Sequence, residues 1–191
     1  MLGVDGRWIG AFGVAWIGLA FNTIVHAKNQ AETALASVGV MVKKRWDLIP
    51  SLVDAVQRYV EHESQVLEEV VRLRAQATAR EVPPAEATAL DGPIGRALGQ
   101  LLVTAEAYPE LEASDEFQQL QRALNEVEEQ ISASRRSYNA AAKSYNDAVR
   151  MFPTNLLAAL LGYRERGYFE TTPAETQPPD VMGRFRAHAR R

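Results

Sequence analysis

Histidine and glutamate are the residues with which a helical chain would bind a catalytic metal, and their spacing here does not fit such a site. A di-iron carboxylate centre in a helical bundle needs two Glu-x-x-His motifs and two further inward glutamates. The chain has three histidines: His26, His62 and His188. The residue three positions before His62 is Tyr59, and the one before His26 is Thr23. The sequence therefore excludes a di-iron site of this type.

Glu61, His62 and Glu63 form a cluster that suggests acid and base chemistry. His62-Glu63 begins like the zinc-protease motif HExxH, but the position of its second histidine is Val66. We interpret the three polar residues as a hydrated helix face. No glycine-rich phosphate loop or nucleophile elbow occurs, and the chain has no cysteine. The sequence thus predicts a protein that is not an enzyme and binds no metal or other cofactor.

Two Tyr-Asn pairs are polar residues with a regular spacing. Tyr138-Asn139 and Tyr145-Asn146 are seven residues apart, so both pairs occupy the same heptad positions. An asparagine beside a coiled-coil seam usually fixes register or partner choice. We favour hydrogen bonds from Asn139 and Asn146 to neighbouring backbone or to each other. Contact with a ligand or partner is the alternative, so both stay candidate interaction residues.

A basic stretch with one aromatic residue supplies the other candidate interaction residues, Lys43, Lys44, Arg45, Trp46 and Asp47. It precedes a predicted bend at Pro50. An aromatic side chain among charges is typical of an interface anchor. Packing of Trp46 against the end of a long helix is the alternative, and we favour it slightly.

A single long helix over residues 117–152 must position the Tyr-Asn pairs. Apolar or aromatic residues recur there at alternating steps of three and four: Phe117, Leu120, Leu124, Val127, Ile131, Ser134, Tyr138, Ala141, Tyr145, Ala148 and Phe152. This heptad seam predicts a helix of roughly 55 Å whose stripe is covered by helices of matching length. Ser114 is the predicted N-cap. The predicted fold is all-α, a long antiparallel bundle of about four long helices.

Proline and glycine set the predicted ends of the other helices. One helix is expected from about residue 8 to 46, and a second from about 50 to 80, with Asp47 as a cap at the bend. The sequence Asp91-Gly92-Pro93 predicts a new helix start. The short apolar segment 156–163 cannot span a membrane, so it is expected to dock on the bundle end or lie at the lipid surface.

An uncharged run of 18 residues lies between Arg7 and His26. Its length is at the short end of what spans a bilayer of about 30 Å. A single transmembrane helix is favoured because the helical pattern continues without a turn signal. A cleaved secretory signal, with Gly18-Leu19-Ala20 as cleavage site, and a buried core helix are the alternatives. The predicted domains are an anchor over 1–25, a bundle over 26–170 and a disordered Pro-rich basic tail over 171–191.

Charge indicates the orientation and the partners. Arg7 precedes the predicted span, whereas Lys28, Lys43, Lys44 and Arg45 follow it, so the positive-inside rule places the bundle in the cytoplasm. A net charge of −3 and a pI near 5.7 give no reason to expect nucleic acid. The tail arginines could bind anionic lipid at ~1 kcal/mol each, although we favour a solvated tail. These arginines are Arg184, Arg186, Arg190 and Arg191.

A series of short segments occurs at consistent spacing between residues 8 and 170. They are Phe21-Asn22, Asn29, Ala34, Lys44-Arg45-Trp46-Asp47-Leu48-Ile49-Pro50-Ser51-Leu52-Val53, Tyr59, His62-Glu63, Glu106-Ala107-Tyr108-Pro109-Glu110-Leu111, Phe117, Arg135, Tyr138-Asn139, Tyr145-Asn146 and Phe152-Pro153-x-Asn155. In this order they resemble the LemA family of bacterial membrane-anchored helical proteins. The chain departs from that pattern at Phe21, Leu35, Trp46 and Ser51, where the family usually has tyrosine, tryptophan, histidine and asparagine.

The resemblance implies an N-terminal helix in the bacterial inner membrane with a short outer end, and a helical bundle mainly on the cytoplasmic side. It implies no recognised catalytic site. The expected function is a membrane-anchored, non-enzymatic scaffold that presents a helical surface to a protein partner. The alternative is an organiser of anionic membrane surface that acts through the basic stretch and the tail. A heptad seam can also be satisfied between chains, so a homo-oligomer is a further expectation.

Overall fold

The computed structural model describes residues 6–59, 64–79 and 82–170, without the side chains of residues 6–9 and 64. All regular secondary structure in these ranges is helical, which confirms the predicted all-α class. The helices are α1 (Gly6–Gln57), α2 (Ser64–Thr78), α3 (Pro84–Ala105), α4 (Pro109–Glu112), α5 (Asp115–Arg150) and α6 (Thr154–Leu160).

The predicted helix break at Pro50 is wrong. α1 is one helix of 52 residues, about 78 Å long, and it contains both Pro50 and Asp47, which is therefore not a cap. A proline inside a helix leaves the carbonyl four residues earlier without its usual donor. That carbonyl belongs to Trp46, and it accepts a hydrogen bond of 3.3 Å from Nε of Arg74 on α2. A donor from a neighbouring helix thus replaces the missing N–H.

The predicted helix start at Asp91-Gly92-Pro93 is also wrong, because α3 already begins at Pro84 and continues through Pro93. Pro84 occupies the first turn, where the absence of an N–H costs nothing. Asp91 is buried and is held by an arginine of α1, which donates to both its side chain and its backbone carbonyl. Tertiary contacts therefore keep α3 helical at Gly92 and Pro93.

The long helix α5 forms largely as its spacing predicts. The Ser114 hydroxyl accepts a hydrogen bond from the backbone N–H of Phe117, as expected for an N-cap. The buried stripe follows the predicted seam, except that Ala142 is buried more deeply than Ala141. Phe152 is exposed, because the helix ends at Arg150 and the chain turns away.

Contacts between the helices define two parts of the bundle. α5 runs antiparallel to α1, since Arg58 pairs with Glu116 and Lys44 bonds to Gln130. α3 runs parallel to α1 and α2 antiparallel to both, so these four helices enclose the larger core cluster. Towards the N-terminus of α1, a second cluster lies between the two long helices α1 and α5, and it includes Ile24 and Tyr145. The short helix α6 adds Ala158 to this cluster, and Tyr163 packs against it. We call these the four-helix part and the two-helix part.

Gly39 lets α1 approach the start of α3. A Cβ atom built on Gly39 would lie 3.0 Å from the Cα of Pro84. We expect Gly39→Ala to lower the melting temperature, because the cost of overpacking, about 1–3 kcal/mol, exceeds the gain in helix propensity of about 1 kcal/mol. Circular dichroism of the full-length chain in detergent would measure the shift. Gly99→Ala is the matched control, since open space surrounds that position on α3, and it should raise the melting temperature slightly. An equal response of the two variants would contradict close packing at Gly39.

Candidate functional site

The N-terminal part of α1 exposes large apolar side chains. Phe12 and Leu19 are 73% and 69% exposed, whereas Ile24 is fully buried against the bundle. By length and composition, α1 is the one helix within the described residues that is able to cross a membrane. An exposed apolar stripe of this kind is rare on a soluble monomer. The candidate membrane span is therefore the N-terminal part of α1, which is also the longest helix of the bundle.

Four charged residues cluster around the buried Asp91 in the four-helix part, and we call them the Asp91 cluster. Arg45 of α1 donates to the carboxylate and to the backbone carbonyl of Asp91, and its Nη1 lies 2.5 Å from Oε2 of Glu128. Arg135 of α5 donates to the other Asp91 oxygen at 2.6 Å. Only 2% of Asp91 is exposed. The cluster thus joins α1, α3 and α5 through two positive and two negative groups.

Burial dominates the electrostatics of Asp91. It raises the pKa of this carboxyl, while the guanidinium groups of Arg45 and Arg135 act in the opposite direction. Gly95 makes room for the arrangement, since a Cβ atom there would lie 3.3 Å from a guanidinium nitrogen of Arg45. The carboxylate accepts from two arginines, so the cluster acts as a connection between helices.

The basic stretch divides into a buried and an exposed set. Trp46 is 1% exposed within the main core cluster, and Arg45 belongs to the Asp91 cluster, so neither is a surface contact. Of the two expectations for Trp46, packing against the end of a long helix is closer to this buried position than an interface anchor is. Lys43, Lys44 and Asp47 are exposed on the outer face of α1, and Lys44 donates to Gln130 of α5. Only these three remain candidate contacts for a partner.

Tyr138, Asn139, Tyr145 and Asn146 form a ladder that holds the extended segment after α6. We call residues 163–170 the strap and these four side chains the Tyr–Asn ladder. Gly162, at a φ of +72°, ends α6. The N–H groups of residues 162 and 163 bond back to the carbonyls of residues 159 and 158, which reverses the chain onto α5.

Each asparagine of the ladder bonds to the strap backbone through both atoms of its amide. Asn139 donates to the Phe169 carbonyl and accepts from the Phe169 N–H, both at 2.9 Å. Asn146 makes the same pair of bonds with Arg166, also at 2.9 Å. The sequence predicts bonds to neighbouring backbone or between the asparagines, whereas the backbone bonded here lies 20 or 30 residues away in sequence.

The tyrosine hydroxyls donate to strap carbonyls with the same period. The Tyr138 hydroxyl bonds to Gly167 and the Tyr145 hydroxyl to Arg164, three residues apart on the strap. Seven residues of helix rise about 10.5 Å, and three residues of extended chain cover about 10 Å. A heptad repeat on α5 therefore matches a three-residue repeat on an extended strap.

Side chains of the strap also contact the bundle. Arg166 donates to Glu32 of α1 at 2.7 Å, and Phe169 packs edge-on against Tyr138. The carboxylate of Glu165 accepts from Arg150, which holds the pKa of Glu165 below its usual range. The strap thus packs along the two-helix part beside α6, and its Phe169 reaches the larger core cluster. Its position was not predicted from the sequence, although the repeated Tyr-Asn pair was a visible signal.

Several predicted residues lie outside the described residues. They are Glu61, His62 and Glu63 of the acid-base cluster and the tail arginines Arg184, Arg186, Arg190 and Arg191. The predictions for these residues remain predictions.

Comparison with known proteins gives one family. The LemA family matches residues 34–182 of this chain. A protein named Protein LemA from Metamycoplasma hominis is 25% identical over 173 residues, which cover 91% of this chain and 78% of that protein.

Magnetosome proteins match over a shorter range. Magnetosome protein MamQ 2 of Paramagnetospirillum magneticum is 38% identical over 88 residues, and Magnetosome protein MamQ of Magnetospirillum gryphiswaldense is 34% identical over 88 residues. In both cases the match covers 46% of this chain and only 32% of the relative.

Proposed function

Because the chain belongs to the LemA family, we propose that it is a membrane-anchored helical scaffold that carries out no reaction and presents its bundle to a protein partner. The observation that supports this proposal most is the continuity of α1. One helix passes from an exposed apolar segment into the core of the bundle without a break. A rigid connection of this kind would place the bundle at a defined distance from the bilayer.

We place the bundle on the cytoplasmic side of the bacterial inner membrane and the few residues before α1 outside. Lys28 lies just after the apolar run, and Lys43 and Lys44 follow on the exposed face of α1. Anchoring restricts the bundle to two dimensions, which raises its effective concentration towards other membrane proteins.

The proposed partner surface is the outer face of α1 in the four-helix part. Val40 is 58% exposed there, beside the exposed Lys43, Lys44 and Asp47. One apolar side chain among three charged ones suits a partner with a small apolar contact and complementary charges. The face is close to the Asp91 cluster, which fixes α1 against α3 and α5.

Anchoring and orientation are tested together. A C-terminal tag protected from protease in spheroplasts, on a protein that stays in the membrane pellet after alkaline extraction, is the expected result. Digestion of the tag on a protein that still pellets would reverse the orientation. Release into the supernatant with a shortened N-terminus would mean a cleaved signal and would overturn the anchor.

The partner surface is tested by photo-crosslinking in cells. A photoreactive residue at Asp47 should give one discrete adduct, and one at the exposed Gln119 of α5 should not. Lys43→Glu should abolish the adduct, whereas Lys143→Glu on α5 is the matched control and should leave it unchanged. An adduct at twice the mass of the chain would identify a second copy as the partner. Adducts that persist in Lys43→Glu would contradict this surface.

A further inference from the structure

A patch of large apolar side chains lies at the end of α5 and on α6. Its members lie close together along the chain and are strongly exposed: Met151, Phe152, Leu156, Leu160 and Leu161. Phe152 and Leu160 are 79% and 82% exposed. Patches of this kind on folded proteins mark a binding surface. We call this set the α6 patch.

The α6 patch lies beside the point where α1 leaves the bundle. Ala158 of α6 is buried in the same cluster as Ile24 and Ala27 of α1, and Leu157 packs against that cluster. Leu156 and Leu160 are four residues apart, so they share one face of α6 that is exposed. α6 is therefore attached to α1 by one face and leaves Leu156 and Leu160 uncovered by the bundle.

The position of α6 along α1 corresponds to the edge of a bilayer. The uncharged run of 18 residues before His26 rises about 27 Å as a helix, close to the hydrocarbon thickness of about 30 Å. With that run in the membrane, Ile24 and Ala27 lie at its boundary, and α6 lies at the same level. Amphipathic helices seat their apolar faces about 5–10 Å into this boundary region.

We propose that the α6 patch is a second membrane contact, seated in the acyl–headgroup boundary beside the α1 span. This inference rests on the proposed anchoring of α1. The occupant is lipid because the patch lies next to the span and at interfacial depth. Arg164 is exposed in the same region and Lys28 is half-buried there, where cations meet lipid headgroups. Two contacts, one spanning and one interfacial, would fix the tilt and rotation of the bundle, which a single helix leaves free.

The absence of cysteine allows a direct depth measurement on the full-length chain. Single cysteines at Val14, Leu160 and Val103 would each carry a nitrobenzoxadiazole label in phosphatidylcholine–phosphatidylglycerol vesicles. All three side chains are strongly exposed in the bundle, so labelling does not disturb the core. Val14 reports on the span, and Val103 on α3 is the control at the opposite end of the bundle. Phospholipids with a doxyl group near the headgroup serve as quenchers.

We expect the lipid quencher to remove most of the fluorescence at positions 14 and 160 and little at position 103. Quenching at 14 but not at 160 would overturn the second contact and leave the anchor intact. Quenching at neither position would remove the anchor and the second contact together. A label at 160 shielded from both lipid quencher and aqueous iodide would mean that protein, such as a second copy, covers the patch, which also overturns the proposal.

A double substitution that places two charges on α6 tests the same contact without a label at Leu160. Leu156→Glu combined with Leu160→Glu changes only exposed side chains, so the bundle should fold normally, and the two carboxylates are repelled by the anionic lipid. A label at Phe152→Cys should lose its lipid quenching in this background, while a label at Val14→Cys keeps it. Unchanged quenching at position 152 would contradict seating of α6 in the boundary region.

Discussion

Replacing Asp91 with alanine is expected to lower the free energy of unfolding by about 3–5 kcal/mol, the range measured when one partner of a buried ion pair is removed. The side chain of Arg45 is 7% exposed and that of Arg135 is 28% exposed. Without Asp91 these two guanidinium groups lose their shared acceptor inside the bundle, and Glu128 can satisfy only part of the charge. Urea unfolding of the full-length chain in detergent, followed by circular dichroism, measures the change.

Two variants show whether the loss arises from the Asp91 cluster. Asp47→Ala removes an exposed carboxylate from α1, and its effect should stay within about 0.5 kcal/mol. Arg45→Lys keeps the positive charge but loses the planar fork that reaches both Asp91 and Glu128, so it should fall between wild type and Asp91→Ala. If Asp91→Ala cost no more than Asp47→Ala, the cluster would not stabilise the bundle.

The Asp91 cluster could have been predicted from helix spacing. On α1 the steps Val42, Arg45, Ile49 continue the alternation of four and three, so Arg45 occupies a seam position. On α3, Asp91 likewise precedes the buried Ile94 by three residues. Opposite charges on two apolar seams indicate a buried pair. The position of Arg45 in a charged stretch beside the predicted bend points instead to a partner contact, which the buried side chain contradicts.

The prediction that a proline ends a helix was wrong where a hydrogen bond from another helix replaced the one that the proline removes. Pro50 reads locally as a break, since it removes one hydrogen bond from α1. The compensating donor, Arg74, is 28 positions away from Trp46 and on another helix, so no local pattern reveals it. The heptad seam of α5 was predicted well because its period depends only on the helix itself. The apolar stripes can therefore be predicted from local sequence, whereas the continuation of a helix through a proline depends on long-range contacts.

The strap also combines a feature that is visible in local sequence with one that depends on long-range contacts. The Tyr-Asn repeat is visible in the sequence, and it predicts asparagines that bond to neighbouring backbone or to each other. The backbone involved belongs to Arg166 and Phe169, in a segment without helical or strand pattern. Its placement depends on the reversal at Gly162 and on the match between helical and extended repeats. Such a match becomes evident only when both elements are seen together.

Removal of both asparagines of the Tyr–Asn ladder is therefore expected to detach the strap. Asn139→Ala combined with Asn146→Ala deletes five hydrogen bonds that the two side chains make with the strap. Each asparagine holds its partner through paired bonds, so the loss should be about 1–3 kcal/mol per residue. Asn146 is 2% exposed, which places it at the upper end of that range.

Hydrogen exchange of the strap is the measurement that separates detachment from general instability. The backbone N–H groups of Arg166 and Phe169 should lose their protection in the double variant, while those in the four-helix part keep most of theirs. Asn125→Ala, at an exposed position on α5, is the matched control and should leave the strap protected. The ladder binds backbone atoms of the strap. Glu165→Ala and Arg166→Ala should therefore reduce the protection of the strap N–H groups less than the double asparagine variant does. Greater loss from these two side chains would mean that ion pairs, and not the ladder, hold the strap on α5.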